Sequence, residues 1–319
     1  MEHHPALATQ LGVSDLWVKR DDLNGRAFGG NKLRTLEFLL PGSPRGLVTM
    51  GGYGSTWCAA LARWGRAAGH DVHLALFPQP WSTPVEGALS VTLQHGTVHH
   101  ARRRWRVPLA IQHARSVAKR PVQWLPAGGA HPAGVLGTVN AGIEFARQIK
   151  AGELPEPDAV VVPLGSGGTA AGLLLGFWSQ GLKTKVIAVR VTDPWFANRL
   201  MVMHVVRQTR RLLAGYGLRV SPVRGSLQVV KDQLGQGYGH ETPGTRKARE
   251  LAAERGLILE TTYSAKAFAA LRGLAASFPR LCFWHTFDTR LVSSPTIDHP
   301  FLREARLNSE SLWPHQRSI

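Results

Sequence analysis

Cysteine is nearly absent from this chain: Cys58 and Cys282 are the only two among 319 residues, and neither sits in a Cys-x-x-Cys pair or at zinc-ligand spacing. A disulfide framework and a structural zinc are thereby excluded, and a reducing cytoplasm is the expected compartment. No basic segment followed by an apolar run comes after Met1-Glu-His-His-Pro5, so no secretory leader is expected. Residues 159–178 are free of charge, yet Pro163, Ser166 and five glycines suit a buried strand, loop and helix better than a membrane span. Acidic residues are few, 21 against 38 lysines and arginines, for a formal charge of +17. Arg102-Arg-Arg-Trp-Arg106 and Arg207, Arg210 and Arg211 contribute to that excess. Little aromatic residue is interleaved with them and no nucleic-acid module accompanies them, so specific nucleic-acid binding is not expected. A basic surface does attract anionic metabolites and phosphate cofactors. The pairs His3-His4 and His99-His100 share ligand spacing with no carboxylate or cysteine; they read as surface residues, and no metal is expected.

With 44% hydrophobic residues and 34 glycines, the chain can bury one large or two ordinary cores. Strand and helix patterns alternate. Strands are expected at 47–50, 72–77, 122–125, 159–164, 185–191 and 226–231, with helices at 59–68, 85–94, 137–150, 170–179, 194–214 and 242–255. Apolar segments at 257–259, 266–276 and 281–285 complete the order. Such alternation predicts an α/β protein with right-handed crossovers and mostly parallel sheets. The expected seam is Gly152–Pro157, where glycine, prolines and acidic residues separate a helix from a strand. No internal repeat is visible. The tail from Arg290, with Ser293-Ser-Pro295 and Asp298-His-Pro300, has weak periodicity.

Two segments carry chemistry. Asp158 to Gly172 reads as a buried strand, a turn containing Gly165, Ser166, Gly167, Gly168 and Thr169, and an apolar helix. Backbone N–H groups and a helix N-terminus converge there in a cradle for phosphate. The same letters fit G-x-G-x-x-A, with Asp193 as a ribose partner further along than is usual, so a dinucleotide stays open on this loop alone. The second segment, Trp17-Val-Lys-Arg-Asp-Asp-Leu-Asn24 followed by Gly29-Gly-Asn-Lys-Leu-Arg34, delivers Lys32 to the first turn of a helix continuing through Leu33, Leu36, Phe38 and Leu39. The helix start and Arg34 both disfavour an ammonium, and imine chemistry needs a neutral amine. By itself Lys32 reads sooner as a solvated helix-start lysine, which most lysines at such positions are.

From Leu16 to Thr286 the chain resembles the fold-type II pyridoxal phosphate enzymes, specifically the group of 1-aminocyclopropane-1-carboxylate deaminases and D-cysteine desulfhydrases. The resemblance is carried, in order, by Leu16-Trp-Val-Lys-Arg-Asp-Asp-Leu, Gly29-Gly-Asn-Lys-Leu-Arg-Thr-Leu-Glu-Phe-Leu, Gly51-Gly-Tyr-Gly-Ser55, the glycine turn, Gly237-Tyr-Gly239, Thr262-Tyr-Ser264 and Phe283-Trp-His-Thr286. It implies a tryptophan synthase β-like fold of two open α/β domains. Residues 1–40 and 153–319 would form the large cofactor-binding domain and residues 41–152 the small one. It also implies pyridoxal 5'-phosphate as cofactor, a small amino acid as substrate and a homodimer. Lys32 would form the imine with the cofactor and then move the Cα proton. Gly165, Ser166, Gly167, Gly168 and Thr169 would hold the phosphate, while Asn31, Thr56, Ser264 and Thr286 would line the cofactor. Ser55, Tyr238 and Tyr263 would act on the substrate.

Within that family the ring-opening deaminases place glutamate directly after the second tyrosine, facing the pyridine nitrogen. Here Ser264 stands at that position, and a neutral hydroxyl supplies no counter-charge, which together with Thr286 favours α,β-elimination. Asp288 is an alternative carboxylate that would reverse the argument. Ser55-Thr56-Trp57-Cys58 departs from the family's Ser-Asn-His/Gln-Thr, so Thr56 replaces an asparagine that reaches the ring and Trp57 puts an indole at the carboxylate end of the pocket. Phe287-Asp288 replaces a glycine pair. These changes leave open replacement, racemisation or ring formation on an unusual substrate, and a cofactor-retaining protein without turnover. Each residue also has an ordinary reading. Ser55 suits a helix N-cap, Tyr238 and Tyr263 suit core-edge aromatics, His285 suits a bonded buried histidine, and the cysteines suit apolar packing.

Overall fold

The uncharged stretch that begins at Ala159 forms the middle of a parallel sheet and the helix that follows it, which explains why so many consecutive positions tolerate no charge. The structure is a computed structural model that describes residues 1–25, 28–291 and 297–313; Ser293-Ser-Pro295 lies outside the described residues. In chain order the first elements are β1 (Glu2–His3), α1 (Pro5–Leu11), β2 (Asp15–Arg20), α2 (Lys32–Leu39), β3 (Gly46–Gly52), α3 (Thr56–Ala67), β4 (Asp71–Phe77), α4 (Thr83–His95), β5 (Thr97–His100), α5 (Val107–Val117) and β6 (Val122–Trp124). There follow α6 (Pro132–Lys150), β7 (Ala159–Leu164), α7 (Gly168–Gln180), β8 (Lys185–Arg190), α8 (Arg199–Gly215), β9 (Leu227–Val230), α9 (Pro243–Ala253), α10 (Ser264–Ala269), α11 (Leu271–Leu274), β10 (Arg280–His285) and α12 (Pro300–Leu312).

One unit comprises Met1–Asn24 and Ala130–Phe287. Its sheet runs β1-β2-β10-β7-β8-β9, parallel except for the β1–β2 pair. Val160, Val162 and Leu164 of β7 pack on one side with α6, α7 and Trp284, while Val161 and Ala159 face Phe268, Leu271 and Phe283 on the other. The second unit comprises Gly25–Gly129 and the chain from Asp288, around an all-parallel sheet β5-β4-β3-β6. The α/β class with mostly parallel sheets is thus the observed architecture.

The chain divides elsewhere than at residues 40 and 152. Helix α6 packs on α7 so closely that a Cβ on Gly142 would lie 3.0 Å from the Cα of Gly176, and one on Gly172 would lie 2.5 Å from the Cβ of Thr138. That seam of small residues holds α6 in the first unit, and Gly152–Pro157 is the link from α6 to β7 inside it. Residues 25–40 go with the second unit because α2 packs on α3 and on the turn at Gly129, where an added Cβ would strike Thr35 and Trp57.

Other boundaries moved for local reasons. The helix expected from 194 begins at Arg199, since Asn198 caps it by accepting from the Met201 N–H and ties Pro194 and Trp195 into a turn. Pro132 starts α6 five residues early, with the His131 ring accepting from Ala133 N–H. Helix α12 crosses the tail that has weak periodicity: only Leu302, Ala305 and Ser309 point inward, too few to register as a pattern. Phe38 is exposed, and Leu36 and Leu39 carry the buried face of α2.

Candidate active site

Lys32 opens α2 as its first helical residue, and Asn31, buried, occupies the N-cap position without a side-chain capping bond. Lys32 is only partly exposed, and burial pushes its amine down to about 8. Desolvation is the physical cause. The turn before it is held from the side: the Asp288 carboxylate accepts from Gly29 N–H at 2.7 Å and from the Arg290 guanidinium at 2.6 and 2.7 Å. Arg290 also reaches the Gly25 carbonyl at 2.5 Å. Both Asp288 oxygens are therefore spent on Gly29 and Arg290, and the reading of Asp288 as a carboxylate for the pyridine nitrogen is corrected: it shapes the turn that carries Lys32.

Ser55 caps α3, its Oγ accepting from Cys58 N–H at 3.2 Å, and is buried; Thr56, half-buried, is the first helical residue. Trp57 does not enter a pocket. Its indole is buried in its own unit and donates to Thr49 Oγ1 at 3.0 Å, so its size is absorbed by the core and not by a substrate. Burial pushes the Cys58 and Cys282 thiols up to about 12, which suits packing residues.

In the other unit, β7 ends in the glycine turn. Gly167 adopts φ +88°, a left-handed conformation that strains any other residue, and it caps α7 with no side chain bonded to the helix start. Gly165, Ser166, Gly168 and Thr169 are half-buried, and the first turn of α7 holds no acidic residue. Orphan N–H groups, two hydroxyls and the positive helix end together fit a phosphate. The Tyr263 ring lies against this turn, 3.4 Å from where a Gly165 Cβ would stand. Tyr263 and Tyr238 meet edge to face, their hydroxyls 2.7 Å apart, so the structure brings together two residues that are 25 apart in sequence.

Ser264 is fully buried. Its Oγ accepts from Glu260 N–H at 2.8 Å and donates to Glu260 Oε1 at 3.1 Å, so a carboxylate stands directly behind the hydroxyl. Glu260 also accepts from the N–H groups of Thr262, Tyr263 and Ser264 at 2.7, 2.8 and 2.6 Å. Burial raises its carboxyl, and these donors oppose the rise. Lys266, wholly buried, donates to the carbonyls of Leu234 and Gly237 at 2.7 and 2.8 Å; burial pushes its amine down to about 8 while Glu260 opposes. Glu260 and Lys266 were missed in the sequence reading, although two charges in an apolar run, each three residues from Tyr263, were the available signal. Thr286 follows β10, whose end is fixed by Trp284 donating to Asp21 at 2.8 Å and by His285 Nε2 donating to the Ile258 carbonyl at 3.1 Å. His285 Nδ1 is buried without a partner, and burial lowers the pKa of the ring.

His3 is exposed as expected, whereas the His99-His100 pair differs from its surface reading. His99 is buried and its Nε2 bonds Nδ1 of buried His73 at 3.0 Å, while His73 Nε2 faces Asp71 at 3.1 Å. Period-two alternation turns His99 inward and leaves His100 to meet Tyr53 at 2.6 Å.

A glycine turn whose N–H groups fit a phosphate, opening a helix after a parallel strand, and a lysine with a depressed pKa at a helix start are each features of fold-type II pyridoxal phosphate enzymes. The chain belongs to the pyridoxal-phosphate dependent enzyme family, whose model matches residues 1–285. Its cofactor is pyridoxal 5'-phosphate, and the dinucleotide reading of the glycine turn falls away. The nocardicin C-9' epimerase of Nocardia uniformis subsp. tsuyamanensis is 31% identical over 86% of this chain and 86% of its own. The bifunctional D-cysteine desulfhydrase/1-aminocyclopropane-1-carboxylate deaminase of Arabidopsis thaliana, mitochondrial, is 28% identical over 80% of this chain and 66% of its own. The crystal structure of an ACC deaminase homologue superposes with a TM-score of 0.74, at 26% identity over 92% of this chain and 93% of that one. Among the described residues, no helix is long and apolar enough to cross a membrane.

Proposed function

We propose that the chain is a lyase or deaminase that acts on a small amino acid, by α,β-elimination in the manner of a D-cysteine desulfhydrase or by opening a cyclopropane ring. The observation that carries this reading is Lys32, placed at the start of α2, whose amine burial depresses to about 8, so that it gives up its proton far nearer neutrality than a free lysine. When bound, the cofactor withdraws electrons from the substrate Cα and weakens its Cα–H bond. Lys32 would hold the cofactor through its Nζ and, with its amine neutral, would take the Cα proton of the substrate. The N–H groups of the turn at Gly165 to Gly168, with Ser166 and Thr169, hold the phosphate. Ser55 Oγ accepts from Cys58 N–H, which leaves its own proton to donate to a substrate carboxylate. The Tyr238 and Tyr263 hydroxyls, one donating a hydrogen bond to the other, exchange a proton with the departing β-substituent. Asn31, Thr56, Ser264 and Thr286 line the cofactor in this reading. The unit containing the glycine turn serves as the phosphate-binding domain.

Similarity to an epimerase over 86% of the chain favours a second reading, in which the Cα proton is removed and returned on the other face without elimination. We further assign the enzyme to the cytoplasm as a homodimer, without a specific nucleic-acid or membrane partner; two buried free cysteines support the reducing compartment and the family resemblance supports the dimer.

A screen of D- and L-amino acids for 2-oxo acid, ammonia and sulfide is the direct test. Elimination predicts all three products from D-cysteine, and loss of the near-visible absorbance of bound cofactor in Lys32→Ala. Exchange of the α-hydrogen with solvent deuterium but no product supports the epimerase reading, and neither outcome in cofactor-loaded protein rejects both.

A further inference from the structure

Tyr238 sits in a segment that has little reason to be rigid. Gly235, Gly237 and Gly239 around it have φ of +61°, +136° and +82°, and the backbone bonds inside the turn, Gly237 N–H to Leu234 and His240 N–H to Gly237, are long at 3.3 and 3.4 Å. A chain so rich in glycine loses much conformational entropy when held in one form. The short bonds to this turn come from elsewhere, from the Lys266 amine to the carbonyls of Leu234 and Gly237 at 2.7 and 2.8 Å. Its partner tyrosine is fixed from the opposite direction. Glu260 receives the N–H groups of Thr262, Tyr263 and Ser264 and so sets the backbone on which the Tyr263 ring is carried. A fully buried amine and a fully buried carboxylate are costly to keep, and both end on backbone groups of these two tyrosine-bearing segments.

We propose that Glu260 and Lys266 are positioning residues that together hold the Tyr238 and Tyr263 hydroxyls at hydrogen-bond distance, Glu260 by fixing the Tyr263 backbone and Lys266 by pinning the Tyr238 turn. The proposal rests on the assignment of proton exchange to this tyrosine pair. The hydrogen bonds of both side chains go to backbone groups and to Ser264 Oγ, not to the tyrosine hydroxyls. A clamp of this kind turns a mobile glycine turn into a preorganised donor, and preorganisation is where the catalytic benefit of such a pair resides.

The test uses cofactor-loaded protein and Lys266→Met, which keeps the volume and removes the donor. Amide exchange over residues 234–240 is expected to rise tenfold or more while exchange in α7 and the near-visible absorbance of bound cofactor stay as in the wild type. The kcat on the best amino acid is expected to fall at least tenfold with KM little changed, and Tyr238→Phe is expected to add little in the Lys266→Met background. Wild-type exchange over 234–240 in Lys266→Met, or losses from the two substitutions that multiply independently, overturns the proposal. Should Lys266→Met not fold, Glu260→Gln decides, because its amide oxygen still accepts from the capped N–H groups: a partial rise in exchange at 262–264 with a three- to tenfold loss of kcat supports the clamp, and no change in either overturns it. If the wild type turns over no amino acid, the assigned function fails, while the exchange measurements still decide the clamp.

Discussion

Two glycine turns lead into helices in this molecule, and they put opposite charges to work. The turn at Gly165 to Gly168 opens α7 with no capping side chain and no acidic residue in the first turn, so its N–H groups and the helix dipole present positive potential to an anion. The turn at Gly29-Gly30 opens α2 with Lys32, a cation at the same kind of helix end, and the acceptor nearby, Asp288, is bonded to Gly29 N–H and Arg290. One turn leaves its helix-start donors without a capping side chain. The other has a donor tied down by a carboxylate and offers an amine that burial makes easier to deprotonate. Backbone shape is shared, and side-chain charge decides the chemistry.

Removing the amine breaks this contrast most severely: Lys32→Ala is expected to abolish the near-visible absorbance and lower turnover on the order of 10³-fold or more, read by spectrum and kcat. On the other turn, Gly167→Ala forces a Cβ onto φ +88° with Val202 3.3 Å away. A cost of about 1–2 kcal/mol is expected, read as cofactor affinity weakened by roughly 5–30-fold with the Lys32 chemistry intact. Asp288→Asn removes the carboxylate from the Arg290 guanidinium, and because Arg290 is partly exposed the loss is expected to be about 1–2 kcal/mol in denaturant unfolding, with faster amide exchange at Gly29.

The amine itself sharpens the comparison through pH. Lys32 titrates near 8 in the folded chain against 10.5 when unfolded, so between those values the unfolded chain holds more protons and this residue's contribution to stability rises with pH. Below about 8 both states are protonated and the cost of burial is fully present. The buried thiols act in the opposite direction above 9, so the measurement is the difference between wild-type and Lys32→Met apoprotein. That difference should shrink in the wild type's favour by up to one proton's slope from pH 8 to 10.5, and a flat difference contradicts the depressed amine. The smallest effect is expected from Trp57→Phe: about 1 kcal/mol of stability from the lost bond to Thr49, with substrate selectivity unchanged, because the indole belongs to the core.

Local signals were legible where a few adjacent residues decide the outcome. Strand β7 falls where alternation placed it, residues 159 to 164, and the glycine turn and Lys32 each open a helix as expected. Ser55 was readable both as a cap and as a site residue, and its Oγ does cap α3. What was illegible depended on partners far away in the chain. Trp57 looked like a pocket residue until Thr49 and Gly129 enclosed it. Asp288 looked like a counter-charge until Gly29, 259 residues earlier, claimed it. Helix α12 was hidden because three inward positions make a weak period.

The sequence by itself determined the cofactor class, through motifs that run in order from Leu16 to Thr286, and it placed the strand–turn–helix at the glycine turn and the helix start at Lys32, since those local elements depend on residue type and on neighbours within one turn. Only the tertiary structure decided how the chain divides, which side chains are consumed by packing, and that a buried glutamate and a buried lysine hold two tyrosines together. Desolvation and hydrogen-bond satisfaction are set by the groups that surround a side chain in space, and those groups come from segments that the linear order keeps apart.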